Sequence, residues 1–96
     1  RSMSAAVRTI RRRFTVGRHR ATLTVPIVAG VALGCSIEWN SDHPPRLSSA
    51  EMFRYRRLRN AILQSVANEI RGAVVVVDMD DGRLVPTVIQ PETAPQ

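Results

Sequence analysis

The segment Ala21-Thr22-Leu23-Thr24-Val25 alternates apolar with hydroxyl side chains, and Ile10, Phe14 and Val16 fall on the same period upstream. A period of two is the spacing of a strand with one buried face, because successive side chains point to opposite sides of the pleat. Two such runs around Gly17 predict a hairpin. With the tip placed at Arg18 and His19, Val16 would face Ala21, Phe14 would face Leu23, Arg12 would face Val25 and Ile10 would face Ile27. The other face then carries Thr15, Thr22, Arg13, Thr24 and Arg11, an Arg/Thr surface open to water or phosphate. Arg12 is the misfit: on the apolar side it must snorkel, pair with an acid, or sit at the sheet's edge.

The same stretch has a rival reading as an export signal. Arg11-Arg12-Arg13-Phe14 resembles a twin-arginine pattern, Ala21 to Gly34 an h-region, and Ala32-Leu33-Gly34-Cys35 a lipoprotein cleavage box, which would leave a mature chain starting at Cys35. An h-region is continuously apolar, whereas this one alternates, is interrupted by Pro26, and is separated from the arginines by Arg18, His19 and Arg20. The hairpin is the better fit. Arg1-Ser2 ahead of Met3 has the look of a cloning scar on a native start, so residues 1–7 are expected to form a flexible N-terminus.

Downstream, Cys35 to Asn40 is a third candidate strand with Cys35, Ile37 and Trp39 on one face. Pro44-Pro45 marks a loop. Ser48-Ser49-Ala50-Glu51 is a capping box, with Leu47 and Met52 as a hydrophobic staple and Gly72 as the stop, so a helix is expected from about Ser49 to Arg71. Its expected apolar stripe is Tyr55, Leu58, Ile62, Val66 and Ile70, widened by Met52, Ala61 and Leu63. The β-branched run to Val77 predicts a strand buried on both sides. Asp81-Gly82 predicts a two-residue turn, and Leu84 to Ile89 a returning strand that Pro86 confines to an edge. The expected architecture is α+β: a small antiparallel or mixed sheet of four to five strands, ordered β-β-β-α-β-β, with one long amphipathic helix on one face. A single domain would span 8–89, with a flexible tail over 90–96.

Charge limits the function. All fourteen basic residues are arginine, a bias typical of GC-rich bacterial coding, and the formal net charge is +6. Seven arginines and no acid lie in residues 1–35, while residues 72–96 hold one arginine against four acids. The basic end therefore seeks anions. The helix arginines Arg54, Arg56, Arg57 and Arg59 crowd its N-terminal half, against the macrodipole. The cluster reads first as a solvated face with Glu51 and solvent as partners and second as an anion-contacting face; Arg56 and Arg59, which flank the apolar stripe, could instead pair with acids across a subunit boundary.

Catalytic motifs are weak. A hydrophobic strand ending in Asp78-Met79-Asp80 resembles the phosphatase motif of haloacid dehalogenase-like enzymes, which would imply a metal or catalytic role here. However, Asp81-Gly82-Arg83 stands where Gly-Thr should, and the chain remaining is too short for that fold. The acids also miss calcium-loop spacing. Cys35, His19 and His43 match no zinc or nucleophile pattern, and a lone cysteine suits a reducing cytoplasm. The expectation is therefore a small, basic, non-enzymatic cytoplasmic protein without metal, cofactor or membrane attachment. It would bind an anionic partner, DNA or RNA phosphates, through Arg11, Arg13, Arg18, Arg20, Arg54 and Arg57. It is also expected to be a homo-oligomer, and the alternative function is that of an oligomeric protein-protein interaction or structural accessory protein with no nucleic-acid role.

Overall fold

The computed structural model describes residues 7–92. Residues 1–6 and 93–96, which include most of the expected N-terminal segment and the end of the expected tail, lie outside the described residues. Strands β1 (Val7–Val16) and β2 (His19–Val28) form the long hairpin, followed by β3 (Val31–Ala32), β4 (Ser36–Trp39), helix α1 (Ser49–Ile70), β5 (Val74–Asp80) and β6 (Arg83–Ile89). The class is α+β, and every sheet contact is antiparallel. The strands divide into a four-stranded sheet, with β2 between β1 and the β3/β4 edge, and a two-stranded ribbon of β5 and β6.

The hairpin register differs from the sequence expectation by two residues. Its tip is Gly17-Arg18, so Phe14 pairs with Ala21, Arg12 with Leu23 and Ile10 with Val25. Gly17 takes φ +61° while Arg18 stays at negative φ, the pattern of a II′ turn, whose twist matches that of the flanking strands. A tip at Arg18-His19 would have wasted that glycine. Because the slip is an even number, every side chain keeps its expected face.

Pro26 shapes the other edge of β2. Its carbonyl accepts from the Leu33 N–H at 2.9 Å, and a strand residue's N–H and C=O point to the same side, so the N–H that proline lacks also faces this edge. The partner strand breaks there. Residues 33–35 bulge opposite Val25 and Pro26, between the pairs Ile27–Ala32 and Thr24–Ser36, and Gly34 absorbs the bend at φ +94°.

Helix α1 begins as the sequence predicts. The Ser48 hydroxyl accepts from the Glu51 N–H at 3.1 Å while the Glu51 carboxylate accepts from the Ser48 N–H at 2.9 Å, two otherwise orphaned donors satisfied at once. At the other end Arg71, not Gly72, occupies the left-handed position at φ 55°. The buried stripe is rotated from the expected one: Arg59, Leu63, Val66 and Ala67 are buried, whereas Met52, Leu58 and Ala61 are exposed.

That rotation follows from the helix touching both sheets. On one side Glu69 reaches Arg8 and Arg12 of β1 at 3.2 and 3.3 Å; on the other, Arg59 reaches Asp78 of β5. Gln64 donates to the Gln90 carbonyl at 2.6 Å, and Asn68 accepts from the Glu92 N–H at 2.8 Å, tying the segment after β6 to the helix. The core is one cluster to which the hairpin contributes Ile10, Phe14, Val16, Ala21, Leu23, Val25 and Ile27. Of the segment that resembles an h-region, Ala21 to Val28 lie in β2, the central strand of the sheet, and the rest forms a turn, β3 and the bulge.

Strand β5 is not buried on both sides. Val74 and Val76 face the core, but Val75 and Val77 are exposed. Asp81 and Gly82, at φ 51° and 75°, make the expected two-residue turn between β5 and β6.

Candidate functional site

The helix covers one face of the four-stranded sheet and leaves the other open. Odd-numbered β1 residues and even-numbered β2 residues share that open face, since side chains alternate and paired residues point the same way. The register places Arg11 beside Thr24 and Ser36, Arg13 beside Thr22 and Glu38, and Thr15 beside Arg20. Three of the six expected contact arginines therefore share one surface. Arg11 and Arg13 are two residues apart, about 6.8 Å along a strand; Arg20 is the diagonal neighbour of Arg13, about 7 Å across. Arg18 stands exposed at the hairpin tip.

Arg11, Arg13, Arg18 and Arg20 form no ion pair with another described residue. Between the rows lies an open depression of about 680 Å³, bordered by Arg13, Arg20, Glu38 and Asn40. Hydroxyls of Thr15, Thr22 and Thr24 alternate with the guanidinium groups. The face can thus offer forked N–H donors for anionic oxygens with neutral donors between them. Among the described residues Glu38 is the one carboxylate on this face.

Arg54 and Arg57 do not join this surface. They project from the side of α1 turned away from the core stripe, both exposed, with the Arg57 guanidinium 5.7 Å from the Phe53 ring centre. Steps of 100° per residue carry them roughly opposite Arg59 and Val66. The helix arginines nearer the core have an internal role. Arg59, only 2% exposed, donates to both Asp78 oxygens at 2.6 and 2.9 Å and to Asn60 at 3.0 and 3.1 Å. Its guanidinium lies 5.3 Å from the Tyr55 ring centre, and Arg56 approaches Asp78 at 3.7 Å. The acid that pairs with them lies in the same chain, not across a subunit boundary.

These contacts account for Asp78 of the Asp-Met-Asp segment. The hydrogen bonds from Arg59 hold the Asp78 carboxyl below its ordinary range, against the opposing effect of burial. Such a carboxylate is a locked structural anion. Among the described residues no group of three His, Cys, Asp or Glu side chains is arranged to hold a metal ion.

Three of the four aromatic residues turn inward, and Phe53 is exposed on the helix. Phe14, Trp39 and Tyr55 pack together, with ring centres 5.4 to 6.5 Å apart, on the covered side of the sheet. None of the three is on the arginine face, so that face has charge and hydroxyls but no stacking platform. Cys35 packs against this core, and burial pushes its thiol pKa up.

The grouping of Arg11, Arg13 and Arg20 was readable from strand period. The separation of Arg54 and Arg57 follows from the helix azimuth, which the buried Arg59 displaces in a way hydropathy alone does not reveal. No protein-family model matches the chain, and neither does any curated protein or solved structure.

Proposed function

We propose that the chain is a non-enzymatic binding protein that holds the phosphate backbone of a nucleic acid on the open face of its four-stranded sheet. The observation that carries this reading is the arc of Arg11, Arg13 and Arg20, exposed and paired with no acid among the described residues. Their spacing of about 7 Å along and across strands is close to the step between successive phosphates of one strand. Without aromatic side chains on that face, binding is through the backbone and indifferent to base identity. A reducing cytoplasm suits the half-buried, protonated Cys35 thiol.

Fluorescence anisotropy with labelled single-stranded and duplex DNA, across a salt series, tests the reading. The expected log affinity falls with log salt at roughly 0.7 to 0.9 per phosphate engaged, for a total slope of about 2 to 3. Arg13→Ala lowers that slope by about one unit. Glu38→Gln tightens binding by removing a like charge, and Arg54→Ala with Arg57→Ala leaves it unchanged. No binding at about 50 mM salt, or a slope insensitive to Arg11, Arg13 and Arg20, would sink the proposal.

A further inference from the structure

The register of the ribbon brings six apolar side chains to its outer face. Val75 pairs with Val88, Val77 with Pro86 and Met79 with Leu84, and paired residues share a side. The opposite face, with Val74, Val76, Asp78 and Ile89, packs toward the helix. No described residue covers the outer one: Val75, Val77, Met79, Leu84 and Val88 are 41 to 69% exposed, and Pro86 is exposed too. No charged residue occupies any of the six positions.

We propose that this face is the interface of a two-fold homodimer in which the ribbons of two copies pack face to face. Size is the first argument. The six side chains present on the order of 500 Å² of contiguous accessible surface, the size of the largest and often functional patch on a small protein, and two copies bury about the 1,000 Å² a specific interface needs. Shape is the second. The face has three rows: a small one of Val75 and Val88, a central one of Val77 and Pro86, and a large one of Met79 and Leu84. A two-fold axis in the interface plane, crossing the strands at the central row, lays the large row of each copy over the small row of the other. Small opposite large is how facing layers interdigitate, and a self-complementary patch is what a two-fold contact requires. The ribbons then stack as sheets do, about 10 Å apart.

This interface does not depend on the anion-binding reading and leaves the arginine face of each copy free. Light scattering coupled to size exclusion is expected to give about twice the 10.7 kDa chain mass at about 100 µM. Val77→Asp, at an exposed position in the central row, is expected to give a monomer with an unchanged circular dichroism spectrum. Val75→Lys and Met79→Glu test the axis: each alone is expected to be monomeric, and mixing them to restore a heterodimer, because residue 75 of one copy lies over residue 79 of the other. A wild-type monomer at about 100 µM, meaning a different partner covers the face, overturns the proposal. So does a dimer that survives Val77→Asp, which would point to pairing through the free strand edges.

Discussion

Two arginines on core-facing positions show how a charged residue can be part of a small interior, and at what cost. Arg12 lies on the covered face of β1, an edge strand, and meets Glu69 at 3.3 Å with both side chains 43% exposed. A screened pair of that kind contributes about 1 kcal/mol or less. Arg59 is the opposite case, 2% exposed and dependent on Asp78 for two short hydrogen bonds. Asp78→Asn leaves a buried guanidinium without its counter-charge and is expected to cost about 3 to 5 kcal/mol in chemical denaturation. The pH dependence has a definite sign. Because the folded-state pKa of Asp78 is depressed, its contribution is fully present above the unfolded carboxylate value of about 4 and disappears as pH falls through the lower folded value. Wild-type stability should therefore fall below about pH 4 more steeply than that of Asp78→Asn. A parallel fall in both would show that other carboxylates dominate. The misfit of Arg12 was visible in the sequence because alternation put a charge on an apolar face. Its partner was not, being 57 residues away.

Turns decide the elements in this fold, and they differ in how well their residues suit them. Asp81-Gly82 is a favoured pair for a turn with both residues at positive φ, and it was legible from two letters. Ala29-Gly30, between β2 and β3, adopts the same conformation with Ala29 at φ 51°, where a β-carbon costs about 1 kcal/mol and alanine has no polar side chain to compensate. Ala29→Asn is expected to stabilise by roughly 0.5 to 1 kcal/mol, seen as a rise in melting temperature of about 2 to 8 °C. Gly17 is constrained in the other direction. It needs φ +61°, and a β-carbon there would stand 3.0 Å from Glu51 Oε2, a carboxylate already engaged in the helix cap. Gly17→Ala should cost about 1 to 2 kcal/mol by the same thermal melt, more if the cap is disturbed. A change within 0.3 kcal/mol would mean the turn can readjust. The capping box and the period of two located the helix and the hairpin, since both are local signals. The hairpin's exact register was less accessible, because it depended on giving Gly17 the first turn position. The solvent side of β5 was inaccessible, because Val74 to Val77 would read alike whether its outer face met protein or water.

At the scale of the molecule, the order of elements was legible but the division into sheet and ribbon was not. That division rests on Arg59 with Asp78, Gln64 with Gln90, and Asn68 with Glu92, contacts that no local pattern announces. The halves that meet through α1 are also unequal partners. Of the thirteen buried hydrophobic residues among those described, seven come from β1 and β2, three from the helix and three from the ribbon. A fragment beginning at Cys35 keeps the helix and the ribbon but loses the surface on which Tyr55, Ile62 and Ile70 pack. It also loses β2, the strand with which β4 pairs. A lone two-stranded ribbon is marginal in water, and a single helix beside it cannot bury enough apolar area to offset chain entropy. The 35–96 fragment is therefore expected to be unfolded, with collapsed amide dispersion in its NMR spectrum and no cooperative thermal transition. The full chain should show both signs of order. A fragment with a sharp melt and dispersed amides would mean the ribbon and helix form an independent unit, with the hairpin an appendage to it. The buried contributions of Leu23 and Val25, both at 0% exposure in the middle of the core, argue that the dependence runs the other way: the arginine hairpin is the platform on which the rest of the protein assembles.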